Sequence, residues 1–122
     1  MRGSVTRKLI GSIGVDSGQM MVGDPCYLHE WKPEEYITGK ELQPDKDGKY
    51  PYTYPGACSS TQSKDQGGIL GRNYCGLSAV CSTGYGDGEY PVYLEYSDEG
   101  TWGKRVKRLI VEFIGDKEDA EE

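Results

Sequence analysis

Apolar and polar residues alternate along parts of this chain with the period of two that a half-buried strand requires. In VTRKLIGSIGV, residues 5–15, Leu9, Ile13 and Val15 fall on one face and Ile10 on the other. Asp-Ser-Gly follows as punctuation, so the stretch predicts a strand and a turn. A second short strand, QMMVG, stops at Asp24 and Pro25, because Pro25 has no N–H for a ladder and restricts the residue before it. These two segments are expected to form an N-terminal hairpin. From Gly76 the alternation returns in LSAVCST, EYPVYLEY and KRVKRLIVEFI, whose Gly-rich links predict a three-stranded antiparallel meander. Leu109, Val111 and Phe113 point one way and Ile110 and Ile114 the other, so the last strand is expected to be covered on both faces at its end and to lie centrally.

Between Tyr27 and Asn73 the periodicity fades. KPEEYI could open one helical turn with Pro33 at its first position, which Gly39 would end. QPDKDGKYPYTYPG and SSTQSKDQGG are rich in turn formers, so this region reads as mainly loop, with one short strand through Tyr50, Tyr52 and Tyr54. The fold expected is all-β, a small antiparallel sandwich or partly open barrel of about five strands with a long loop-rich middle.

Composition narrows the picture. At 122 residues the chain suits one domain, expected over 1–115, with 116–122 as an acidic, disordered tail. Eighteen glycines and ten tyrosines favour short strands, frequent turns and amphipathic rings over long helices. The formal charge is −6, of which GDKEDAEE at the end carries −4, leaving a nearly neutral body. Extended nucleic acid, which calls for a concentrated basic surface, is therefore not the expected partner. No apolar run approaches the roughly 20 residues of a membrane span, and the first fourteen residues lack the core of a signal peptide, so no membrane is expected and the cytoplasm is the predicted location. Four cysteines, Cys26, Cys58, Cys75 and Cys81, contain no close pair, and His29 is the sole histidine. Zinc ligation is not predicted, and buried free thiols are.

Several motifs suggest chemistry, each with a plainer reading. GYGDG, residues 84–88, has neither the spacing of a phosphate loop nor a helix after it, and its Asp-Gly predicts a hairpin turn; Tyr85, Asp87 and Glu89 would then crowd a phenol and carboxylates at one sheet end. PDKDGKY resembles part of a calcium loop, but Gln43 and Tyr54 stand at its end positions, so an ordinary turn is predicted. Ser17 lacks a positioned base, and no local signal pairs a thiol with His29. Asp16 and Asp24 follow apolar runs and read as turn caps; were they to converge on Asp87 or Glu89, a cation would be favoured. Lys104, Arg105, Lys107 and Arg108 form the one basic cluster. On a strand they divide between two faces, with Glu89 and Glu95 as cross-strand partners, or they form an anion site with Arg72.

SGQMMVGDPCYL, TGYGDGEYPVYLEY and RLIVEF together resemble a family of small bacterial and bacteriophage proteins of unknown function. The resemblance covers 13–28 and 76–114. It implies a compact β-fold in a bacterial or phage setting, and no activity. A non-enzymatic binding protein without a cofactor is the expected function, in a phage accessory or anti-defence role that blocks a host protein or sequesters a small nucleotide-like signal. For a nucleotide, Arg72, Lys104, Arg105, Lys107 and Arg108 would meet phosphates and Tyr50, Tyr52, Tyr54 and Tyr85 would stack on the base; for a protein, the same tyrosines and the acidic hairpin would make contact. A homo-oligomer would favour the nucleotide. The alternatives are a metal-assisted hydrolase built on Asp16, Asp24, Asp87 and Glu89, and a structural part of a virion or complex.

Overall fold

A computed structural model of the chain describes residues 3–33, 42–72 and 75–115. The turn expected from KPEEYI, apart from Lys32 and Pro33, and the acidic tail at 116–122 lie outside the described residues. The fold is all-β, with seven strands in two sheets among the described residues where about five were expected. The chain divides into two compact units, one made of Met1–Asp16 with Gly84–Glu122 and the other of Ser17–Thr83.

The first unit holds β1 (Val5–Val15), β6 (Gly88–Asp98) and β7 (Lys104–Val111), in the order β1-β6-β7. β1 runs antiparallel to β6 from Val5 opposite Ser97 to Val15 opposite Gly88, with a bulge between Leu9 and Gly11. β6 turns into β7 through a short 3-10 helix, Gly100–Trp102, and pairs with it antiparallel. Asp98 stabilises this turn by accepting the Gly100 N–H at 2.9 Å, and Gly103, at φ +79°, closes it in a conformation that other residues resist. Tyr90 and Val92 are buried, and the Phe113 ring meets Tyr90 edge-on at 5.3 Å.

The second unit holds β2 (Gln19–Gly23), β3 (Lys49–Pro51), α1 (Tyr54–Thr61), β4 (Gly67–Arg72) and β5 (Cys75–Ser82), with the sheet ordered β2-β5-β4-β3. β3 and β4 are parallel, and parallel neighbours need a crossover, which 52–66 supply through α1. Thr53 caps the helix by accepting the Gly56 N–H at 3.0 Å. Small residues let α1 lie close: a Cβ on Gly56 would stand 2.1 Å from the Pro51 carbonyl oxygen. The core gathers Tyr52, Ala57, Leu70, Leu77 and Val80, with Trp31 edge-on to Tyr52 at 5.2 Å.

Three expectations about pairing are corrected. The N-terminal hairpin does not form, since β1 pairs with β6 and β2 with β5; an eleven-residue strand satisfies its backbone against an equally long partner, and five-residue β2 would leave half of it unpaired. The meander is only half present, because β6 and β7 form a hairpin while β5 lies between β2 and β4. GYGDG is accordingly a connector between strands of different sheets, not a hairpin turn, and the Tyr90 hydroxyl holds it by donating to the Gly86 carbonyl at 2.5 Å. The last strand is not central. β7 is an edge, exposed from Lys104 to Leu109 and half-buried only at Ile110 and Val111.

Candidate binding surface

The basic cluster of the sequence lies on β7, and the register explains what its charges do. Arg7 on β1 and Arg108 on β7 each lie opposite Glu95 on β6, so the three side chains line up across three strands. Arg7 donates to Glu95 Oε2 through Nη2 at 2.9 Å and Nε at 3.1 Å, and Arg108 Nη1 donates to Oε1 at 2.6 Å. The Glu95 side chain is 9% exposed and those of the arginines about half. The Arg7 hydrogen bonds above all, then that of Arg108, hold the Glu95 carboxyl below its ordinary value of 4.5. Arg108 thus has the cross-strand partner expected of Glu95, whereas Glu89 lies opposite Gly14 of β1.

The other cations of β7 stay nearer to solvent. Lys104 Nζ sits 4.4 Å from the Tyr96 ring centroid, and Arg105 gives its Nε–H to the Trp102 carbonyl at 2.9 Å. Lys107 falls where the β6–β7 register shifts, between Glu95 and Tyr96. Between these charges lie apolar side chains: Val106 is 57% exposed and Leu109 49%, and Val5, Leu9, Ile10 and Ile13 of β1 are exposed as well. An open cavity of about 430 Å³ lies beside Thr6, Tyr96, Asp98 and Lys104.

The remaining candidates have other surroundings. Arg72, in the second unit, is clamped by Glu30, with Nε to Oε1 at 2.7 Å and Nη2 to Oε2 at 3.0 Å, and this pairing holds the Glu30 carboxyl below its ordinary value. Tyr52 is buried in the core, Tyr50 is half-buried and faces Gly68, and Tyr54 opens α1 beside a cavity of about 110 Å³ shared with Gln19 and Trp31. Tyr85 is 90% exposed on the connector. Asp16, Asp87 and Glu89 border one open cavity of about 650 Å³, while Asp24 belongs to the second unit and caps the 3-10 helix Pro25–Glu30 by accepting the Cys26 N–H. Among the described residues no three His, Cys, Asp or Glu side chains are grouped to hold a metal ion. PDKDGKY is an ordinary turn, in which Asp45 Oδ1 accepts the N–H groups of Asp47 and Lys49. The four cysteines are free, but Cys26, Cys75 and Cys81 are exposed, where burial was expected; Cys26 lies in the 3-10 helix Pro25–Glu30, and Cys75 and Cys81 fall on exposed positions of β5. His29 Nδ1 lies 3.1 Å from the Cys26 carbonyl oxygen, and Nε2 3.7 Å from Glu30.

Arg7 was not among the residues picked out from the sequence. Its signal lies in β1, which carries Arg7 and Lys8 and no acid, but its partner is 88 positions away and only the strand order brings them together.

These features define an all-β protein whose three-stranded sheet carries exposed apolar side chains and cations on both of its edge strands. The chain belongs to the family described as Protein of unknown function (DUF4241), whose model matches residues 7–104 and so spans the middle region as well. No curated protein and no solved structure matches the chain. No helix among the described residues is long and apolar enough to cross a membrane.

Proposed function

We propose that this chain is a binding protein that takes a protein partner on its three-stranded sheet. The observation that carries the reading is the exposed apolar side chains of that sheet's two edge strands; the bulge in β1 divides Leu9 from Ile13, so Val5 and Leu9 lie on the face of Glu95, and Ile13, Val106 and Leu109 on the face of Leu94. Exposed apolar surface on paired strands is costly in water and marks interaction sites. A nucleotide is less well supported, because Tyr52 is in the core and Arg72 is committed to Glu30. In the bacterial or phage setting that the sequence resemblance implies, the partner would be a host protein, and blocking one used in defence would be an anti-defence role.

Native mass spectrometry of the full chain, purified under mild conditions from a host lysate, tests this. A stoichiometric complex with a protein, lost when Leu9, Ile13 and Leu109 are changed together to Thr, is the expected result. Nucleotide-sized extra mass on the chain, or a partner retained by the triple variant, would overturn it. The hydrolase alternative draws its only support from the cavity beside Asp16, Asp87 and Glu89, and a thermal shift with Mg2+ or Mn2+ is the result that would favour it.

A further inference from the structure

We infer that the outer edge of β7 is a docking rail for an extended, acidic segment of the partner, which adds to the sheet as a fourth strand. The inference rests on the binding reading above and names where and what is bound.

The sheet order β1-β6-β7 pairs one side of β7 with β6 and leaves the main-chain groups of its other side available to an added strand. Over Lys104–Val111 the strand carries four cations and no acid. That charge disfavours a second copy. In the full-length two-fold antiparallel register, Lys107 of one chain would face Arg108 of the other, twice, and like charges directly opposite destabilise a ladder. The same charge attracts an acidic strand.

The side-chain pattern specifies the occupant further. Val106 lies opposite Tyr96 and Leu109 opposite Leu94, so both exposed apolar residues share one face. Arg105 lies opposite Ser97 and Arg108 opposite Glu95, which puts the guanidinium groups on the other face. Arg105 uses only Nε on the Trp102 carbonyl, and Arg108 only Nη1 on Glu95, so each keeps N–H donors for a carboxylate. A segment that alternates acidic and apolar residues matches both faces at once, carboxylates beside Arg105 and Arg108 and apolar side chains beside Val106 and Leu109. A cationic edge without this alternation would select for charge alone.

The test uses the full chain, labelled with 15N, and a peptide of four Glu-Val repeats with blocked ends. The comparison probes are the same peptide with alternate amides N-methylated, a Lys-Val repeat, and a short oligothymidylate. The Glu-Val peptide is expected to move amide resonances of β7 and to protect them from exchange. Its affinity should fall by about tenfold or more on N-methylation, and by as much in the variant carrying Arg105→Glu and Lys107→Glu. Neither residue pairs with Glu95, so the fold should survive; Arg105→Gln with Lys107→Gln is the milder pair, for which a smaller loss in the same direction is expected. Shifts on β1 instead of β7, equal binding of the N-methylated peptide or the oligothymidylate, or self-association through β7 would each overturn the rail. If the host partner is captured and lost in the Leu9, Ile13 and Leu109 triple variant while the β7 charge variants still hold it, the rail fails and the binding reading stands.

Discussion

The two sheets of this protein solve the same problem in opposite ways. The four-stranded sheet has α1 against it and a core in which Leu70 is wholly buried and Trp31 packs on Tyr52. The three-stranded sheet has no α-helix of its own among the described residues, and the central position of its charged face holds a carboxylate between two arginines. Among the described residues thirteen large apolar side chains are exposed, and nine of them belong to the unit with three strands. Both sheets bury apolar area, with Val15, Tyr90 and Val92 in the second, but the second adds a charge network to its ladder and leaves more apolar side chains exposed, and these are what the proposed partner would use.

The comparison breaks most readily at Leu70. Leu70→Ala leaves a cavity beneath α1 and should cost about 2–5 kcal/mol, read from urea unfolding. A loss under about 1 kcal/mol would mean that the four-stranded sheet is not held by its core. Next comes Gly56→Ala. In an exposed helix this change stabilises by about 0.5–1 kcal/mol, but here the new Cβ would meet the Pro51 carbonyl oxygen at 2.1 Å. It should therefore destabilise, by about 1–3 kcal/mol as for other overpacked sites, and a gain in stability would show that α1 has room to move away.

The charge network calls for a different experiment. Glu95 has a native carboxyl value below 4.5 because Arg7 and Arg108 hold the ionised form. Its contribution is therefore complete above the unfolded value and lost as pH falls through the lower native one. Wild type should lose stability over that acid range, and Glu95→Gln should remove part of the slope and be less stable than wild type at neutral pH. Glu30, held by exposed Arg72 on the other unit, titrates in the same direction, but its side chain is 25% exposed against 9% for Glu95. Glu30→Gln should accordingly change the slope less, and salt should shrink its effect further. Equal slopes in the two variants would remove the distinction between the sheets.

How much of this was legible beforehand follows the range of the interactions. β1, β2, β5, β6 and β7 could be read from alternation, which is local, and the pairing of Glu95 with the basic strand from hairpin proximity. The partners of β1, β2 and β5 could not: the links after Val15 and after Thr83 look like turns, and the equal lengths of β1 and β6 are what fit them to each other. α1 was hidden because YPGACSST is written in turn formers. Its residues are small because the helix lies against the sheet, so tertiary packing overrides propensity there. The sole local clue was Thr53 ahead of Pro55, an N-cap followed by a proline in the first turn.

The smallest effect on stability should come from the surface most important for binding. Val106→Thr with Leu109→Thr keeps strand-compatible residues on β7 and removes apolar groups that are already half in water. Surface changes of this kind fall within about 0.5 kcal/mol of neutral, so the melting temperature should barely move. If the two side chains were part of a core, removing them would cost stability as Leu70→Ala does; if they are merely tolerated on a solvated face, nothing at all would change. A variant with wild-type stability that has lost the partner, measured side by side on one preparation, separates those cases. Loss of both together would return Val106 and Leu109 to the folding core and take away the ground on which the two sheets were set apart.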